Sequence, residues 1–377
     1  MSPVPGVTAQ RVTRRLFNLG LLAAGTGLGF AGVRGLLPNR PAASAQEVRY
    51  LRIGTGDVGG VYFRVGGILA NMFSDPASVS ECEGAGPCGV PGVVAVAQAT
   101  GGSVDNVGRI GGGDLEAGLC QSDVAYWAYH GKEMFADAAV DTLRLVANLY
   151  SEAVHVVVAA DSDAASIGDL AGRRVVVGAE GSGSLIGARI ILAAYGLDLD
   201  RIVPIYENIT MGVTLLEAGE ADAVFVTSGA PSPSLMPLAE GPGFRLLDID
   251  DAHVEAIRRQ APFFTRLRIP RDQYHGVGDT RTLAVGAQLF VQAALDEDVV
   301  FALTRALWHP SNRSVLNNGH PVGQRIVLEK ALSGMTVPLH PGAARFYETV
   351  ELPVAGPTEL PADGGAEPDA PDAPEPQ

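Results

Sequence analysis

The chain has 377 residues, 47% hydrophobic and 18% charged, enough for a substantial core shared between two domains of ordinary size. Its formal charge is −15, and no Lys/Arg cluster lies beyond the N-terminal segment, which argues against nucleic acid as a partner. The acidity says little of a small ligand, because exposed charges more than ~10 Å apart are largely screened at physiological salt.

Residues 1–45 read as a targeting segment. Thr13-Arg14-Arg15-Leu16-Phe17 sets paired arginines before an apolar, Gly/Ala-rich run, and Ala43-Ser44-Ala45 offers small residues for cleavage ahead of Gln46. The pattern resembles a twin-arginine signal, the route for proteins that fold before export, and predicts a periplasmic protein. An uncleaved membrane anchor is the alternative. No Cys follows the run, which argues against a lipoprotein, and no other window holds the ~20 apolar residues of a membrane span. Without the five arginines of 1–45 the formal charge falls from −15 to −20. Six of the acids (Glu359, Asp363, Glu367, Asp369, Asp372 and Glu375) lie in a Pro/Ala-rich tail, 353–377, whose composition predicts disorder.

The mature region opens with a strand over 48–53, then Gly54-Thr55-Gly56-Asp57-Val58-Gly59-Gly60, then a helix with Tyr62, Val65, Leu69 and Phe73 on one face. A GxGxxG between strand and helix is what a dinucleotide site requires, but no second strand ending in an acid follows at ~20 residues. The glycines instead let the backbone approach a ligand. Cys82 and Cys88 sit in a Gly/Pro-rich loop, and export makes a disulfide between them plausible. Cys120 reads as a buried thiol. The histidines are scattered without metal-ligand spacing, so neither a metal nor another cofactor is expected.

From Gly92 the same unit recurs: a strand at 93–97, the loop Thr100-Gly101-Gly102-Ser103, and a helix carrying Asp105 and Asn106 in its first turn. A short strand at 119–121 then meets Ser122-Asp123, which can cap the next helix. An apolar strand over 154–160 leads to a capped turn at 166–172. The stretch 173–196 carries the pattern most plainly. Val175, Val176 and Val177 suit a buried parallel strand, Gly178 breaks it, and a small-residue loop ends at Ser182-Gly183-Ser184. Leu185, Ala188, Leu192 and Tyr195 recur at helical spacing, with Gly196 placed to close the helix in the left-handed conformation. Free N–H groups at such a helix start make an anion site. A further helix is expected at 213–218. A strand at 223–226 ends in Thr227-Ser228, and strands at 244–247 and 282–291 follow. Helices are expected at 299–308, 323–332 and 342–349.

Together these stretches resemble the TAXI family, the extracytoplasmic solute receptors of tripartite ATP-independent periplasmic (TRAP) transporters. The resemblance is carried by Gly54-Thr55-Gly56 with Gly59-Gly60-Val61-Tyr62, Thr100 to Asn106, Gln121-Ser122-Asp123, Leu149-Tyr150, Asp169 to Val175, Gly181-Ser182-Gly183-Ser184, Ala221-Asp222-Ala223 and His340-Pro341-Gly342-Ala343. It implies an α/β, two-lobe periplasmic binding protein fold (type II-like), each lobe a mostly parallel sheet flanked by helices, with the ligand in the cleft between them. Lobe one would comprise 46–158 and 283–352, and lobe two 159–282. It further implies a non-catalytic monomer that captures a small organic anion or amino acid, glutamate- or 2-oxoglutarate-like, and hands it to a TRAP membrane permease. The Cys82–Cys88 segment looks like an insertion found in a subset of such receptors.

In physical terms, Ser182, Gly183 and Ser184 would hold a carboxylate through N–H and hydroxyl donors. Thr55, Gly59 and Ser103 would add donors from the facing lobe, Tyr62 would cover the apolar stem, Gln121 and Asp123 would take an amino or hydroxyl group, and Thr227 and Ser228 would line the far wall. Each Ser or Thr has a plainer role as a helix cap, Tyr62 as core, and Asp123 as a cap. If Asp123 faces the cleft, an amino acid fits better than a dicarboxylate. Two other classes compete: an exported enzyme with a nucleotide cofactor, and the ligand-sensing domain of a signalling system.

Overall fold

The computed structural model describes residues 48–75, 88–354 and 356–357. The twin-arginine segment, Cys82 of the expected Cys82–Cys88 pair, and the six tail acids lie outside the described residues. In chain order the first elements are β1 (Arg49–Gly54), α1 (Val61–Phe73), the two-residue strands β2 (Ser74–Asp75) and β3 (Val90–Pro91), and β4 (Val93–Gln98). Next come α2 (Ser103–Gly111), β5 (Ala117–Gln121), α3 (Ser122–His130) and the long β6 (Leu143–Ala159). They continue as β7 (Arg174–Val176), α4 (Gly183–Ala194), β8 (Val203–Ile205), α5 (Ile209–Glu217), β9 (Ala223–Ser228), α6 (Met236–Glu240), β10 (Phe244–Leu246) and α7 (Asp251–Gln260). The last are β11 (Thr265–Ile269), β12 (Thr280–Gln292), α8 (Glu297–Trp308), α9 (Arg313–Gly319) and α10 (Pro341–Thr349).

A single path of strands, β4-β1-β5-β12-β6-β9-β7-β8, links two α/β halves. At one end β4, β1 and β5 are parallel, and at the other β9, β7 and β8 are parallel. Between them run β12 and β6, antiparallel to each other and to the trio each one borders. Both are long enough to serve both halves. Their pairing slips between Ala287 and Gln288 and again between Leu289 and Phe290, and such irregularities bend a strand where it passes from one half to the other.

Each half closes its own core. In the first, Ile53 of β1 and Val65, Leu69 and Phe73 of α1 pack with Leu303 and Leu307 of α8 and Tyr347 of α10. In the second, Val175 of β7 meets Ala188, Ile191 and Leu192 of α4, with Phe225 of β9 and Phe264. Full burial of each large apolar side chain contributes roughly 1.5–3 kcal/mol, so each face of helix or strand is held several times over. The helix α4 ends as its sequence requires. Gly196 has φ +70°, and the N–H groups of Gly196 and Leu197 return to the carbonyls of Ala193 and Leu192.

Two expectations change, and one strand was not expected at all. The strand read at 154–160 is only the end of β6, which begins at Leu143. The helix expected over 323–332 is absent, replaced by the 3₁₀ turns Pro321–Arg325 and Leu328–Lys330. Gly323 lies directly against the Leu316 carbonyl, where a continuing helix with any side chain has no room. The strand β11 was not anticipated. Its Arg-rich alternation hides a β pattern of which only Ile269 is buried.

Candidate functional site

Small-residue loops from both halves converge on one cavity of about 210 Å³. Its volume is below the ~300–1,000 Å³ of drug-sized sites, so it has room only for a small molecule. The first half supplies Gly56, Asp57, Tyr62, Ser103 and Gln121, and the second supplies Ser182, Gly183, Ser184, Asn208, Thr227 and Ser228. Glu152, on the crossing strand β6, forms part of the wall. Every lining residue from the parallel trios lies at or just beyond a strand's C-terminal end, where open α/β sheets receive ligands.

The wall from the second half is built by the turn from β7 into α4. Gly178 makes that turn with φ +105°, and a Cβ there would lie 2.8 Å from the Leu185 nitrogen and from Ser182 Oγ. Only glycine lets the strand end approach the helix start this closely. Ser182 is the N-cap. Its hydroxyl accepts from the Leu185 N–H (3.2 Å) and donates to the Ala179 carbonyl (2.7 Å), so it caps the helix instead of donating to a ligand. Ser184 Oγ accepts from the Thr227 N–H at 3.1 Å, which ties α4 to the end of β9 and leaves the hydroxyl proton to donate. The N–H groups of Gly183 and Ser184 have no partner among the described residues, as expected in the first turn of a helix. They carry the positive end of α4 into the cavity.

The opposite wall is different in kind. Tyr62 on α1 donates its hydroxyl to Glu152 Oε2 at 2.7 Å, both side chains being buried. Burial raises the Glu152 carboxyl to about 8; the Tyr62 hydrogen bond opposes the rise, and nearby Asp123 adds to it. Asp123 is itself fully buried in the first turn of α3, and burial raises it to about 7. Its Oδ1 accepts from the Val124 N–H at 2.8 Å, while Oδ2 has no partner. Among the described residues no Arg, Lys or His lines the cavity. Among the described residues there is also no cluster of three metal-ligating side chains, and no helix long and apolar enough to cross a membrane.

The halves meet around this cavity through direct contacts. The N–H groups of Val104 and Asp105, at the start of α2, donate to the Gly181 carbonyl at 3.0 and 3.2 Å. Gly102, with φ +114°, brings that helix start against Ser182. Thr210 Oγ1 donates to Asp57 Oδ1, and Ser234 Oγ donates to the Gly59 carbonyl at 2.8 Å.

Of the eleven residues expected to bind ligand, Tyr62, Ser103, Gln121, Ser182, Gly183, Ser184, Thr227 and Ser228 line the cavity. Three do not. Thr55 is fully buried behind the wall, its hydroxyl donating to the Gln98 carbonyl at 2.6 Å. Both backbone groups of Gly59 are taken within the protein, its N–H by Asp57 Oδ1 (2.9 Å) and its carbonyl by Ser234 of the other half. Asp123 stands behind Glu152 as a desolvated carboxyl and not as a helix cap, since the N-cap of α3 is Gln121. Asp57, Glu152 and Asn208 were missed. For Glu152 a signal existed: an acid enclosed in a run of apolar residues that proves to be one strand.

Residues 53–350 match the model of the NMT1-like family. Among solved structures, the chain is similar to the periplasmic aliphatic sulphonate binding protein SsuA from Escherichia coli, at 16% identity over 86% of this chain and 97% of that one, with a TM-score of 0.41. It is also similar to PhnD1 from Prochlorococcus marinus (MIT 9301) in complex with methylphosphonate, at 12% identity over 80% and 98% of the two chains, with a TM-score of 0.46. Likenesses this distant say nothing of what this chain binds.

Proposed function

The chain belongs to the NMT1-like family, and from that premise we propose that it is an extracytoplasmic solute-binding receptor of the TAXI type. It captures a small carboxylate, glutamate- or 2-oxoglutarate-like, and delivers it to a TRAP membrane permease. The observation that carries this reading is the cavity shared by two halves, with the free N–H groups of Gly183 and Ser184 at one wall. A carboxylate there accepts charge-assisted bonds from the helix start and from the Ser184 and Thr227 hydroxyls, each contributing about 1.5–3 kcal/mol.

In the same reading the protein is a monomer exported through a twin-arginine signal, with a disulfide between Cys82 and Cys88. Lobe one comprises 46–158 and 283–352, lobe two 159–282. The contacts from Val104 and Asp105 to Gly181, and from Ser234 to Gly59, are those a closed pair of lobes makes. In this reading binding proceeds without catalysis.

Isothermal calorimetry against C4–C6 carboxylates and amino acids tests the reading. Saturable 1:1 heat with at least one member is expected, and no heat from any member overturns it.

A further inference from the structure

The proposed ligand class leaves one pair of candidates unresolved, an amino acid and the oxo-acid of the same skeleton. The wall opposite α4 separates them. It presents Glu152 and, from the loop after β1, Asp57, with no cationic side chain among the described lining residues to offset either. Asp123 lies behind Glu152 with one carboxyl oxygen unpartnered. The other titratable groups around Glu152 are Tyr62 on α1, Tyr150 on its own strand and Cys120 on β5, none of them able to neutralise a carboxylate. Tyr62 fixes Glu152 by a single hydrogen bond to Oε2, and none of the described hydrogen bonds uses Oε1.

We propose that Glu152 selects the ligand: its carboxylate takes a ligand ammonium group, so the site is built for an α-amino acid and rejects the matching oxo-acid. This rests on the receptor reading above. The two walls then divide the work. The ligand carboxylate lies at the uncharged donors of Gly183 and Ser184, and the ammonium lies at Glu152. An oxo-acid would place a carbonyl oxygen where the cation belongs and would gain no charge pairing with Glu152. Glu152 is largely protonated at neutral pH in the empty protein, its carboxyl being raised to about 8. Taking an ammonium group therefore releases its proton to solvent, and affinity for the amino acid rises as pH climbs from 6 towards 8.

The experiment titrates the purified protein with L-glutamate and with 2-oxoglutarate, which differ only in bearing an ammonium or an oxo group. Calorimetry is run at pH 7 in two buffers of different ionisation enthalpy, which counts protons. The expected result is L-glutamate about 100-fold tighter than 2-oxoglutarate, with up to about one proton released on binding. Glu152→Gln is expected to abolish that preference and the proton release, while 2-oxoglutarate affinity stays within about threefold. Tyr62→Phe, which keeps the acid and deletes its one partner, serves if Glu152→Gln does not fold; it is expected to cost L-glutamate about tenfold and to keep the proton release. Equal or tighter binding of 2-oxoglutarate, or a preference that survives Glu152→Gln, overturns the assignment and leaves the receptor reading standing. No heat from either compound or from the rest of the panel overturns both.

Discussion

Glu152 and His155 are three residues apart on β6, and an odd spacing on a strand sends them to opposite faces of the sheet. Both are buried and titratable, yet they are treated differently. His155 is fully satisfied. Its Nδ1 bonds to the carbonyls of Ala153 (3.0 Å) and Val226 (3.3 Å), and the Tyr274 hydroxyl meets Nε2 at 2.9 Å. Tyr274 in turn accepts from the Ser232 N–H at 2.6 Å, which secures the loop after β9. Glu152 has one hydrogen bond, a cavity beside it and a second buried acid behind it. A polar group whose bonds are all closed within the protein serves the fold; one left open beside a cavity awaits something from outside.

The largest test of that contrast is His155→Ala. It strips Tyr274 and two buried carbonyls of a partner and opens a cavity, for an expected loss of roughly 3–5 kcal/mol in urea unfolding. Ligand affinity of the remaining folded protein is expected to stay within about twofold. A large affinity change with little loss of stability would reverse the assignment of roles.

pH separates the two residues by sign. Burial holds the His155 imidazole down to about 4, with the Val226 and Ala153 carbonyls opposing the shift, so the unfolded chain takes up the proton first. Stability is expected to fall by roughly 3 kcal/mol as pH drops from about 6.5 to about 4, and His155→Gln is expected to flatten that limb. The carboxyls behave in the opposite way. Asp123 and Glu152 keep their protons up to about 7 and about 8 in the folded protein, so their contribution is lost as pH rises from about 4 through those values. Asp123→Asn is therefore expected to raise unfolding stability at pH 8.5 by roughly 2–4 kcal/mol and to change it far less at pH 4, as read by thermal melts at both values. No gain at pH 8.5 would show that a partner relieves Asp123.

The smallest effect belongs to Ser182, whose hydroxyl is closed like His155 although it lies in the cavity wall. Ser182→Ala is expected to cost about 1 kcal/mol of stability through the lost cap and to leave ligand affinity within about threefold. Ser184→Ala, by contrast, is expected to weaken binding about tenfold, because its hydroxyl retains a proton to give.

Much of the arrangement could be read from the sequence where one local rule decides it. Val175-Val176-Val177 followed by Gly178, and Gly196 after a helical stripe, located β7 and α4 with no knowledge of the rest of the chain. Most of the small-residue loops reached the cavity because strand ends in an open α/β sheet face one way. What stayed hidden depends on contacts far apart in sequence. Thr55 has the residue type of a ligand donor, but its partner is Gln98, a pairing fixed by β1 lying beside β4. Glu152 lies just ahead of the strand read at 154–160; that both halves share one strand through it follows only from the pairing with β12. The 3₁₀ turns at 321–330 arise from Gly323 meeting Leu316, a contact no periodicity records.

The joint between the halves is faced with glycine on both sides. A methyl group on Gly183 would sit 2.3 Å from Gln121 Oε1, and one on Gly59 would sit 2.4 Å from Thr210 Oγ1. Neither residue owes its place to side-chain chemistry; each is thin enough for the jaws to shut. In the proposed receptor, enlarging either would act as a wedge and is expected to speed ligand release while the groups that recognise it remain intact. If the protein is the receptor proposed above, the time it holds a ligand depends on how tightly these glycine-lined faces meet as well as on the groups that bind it.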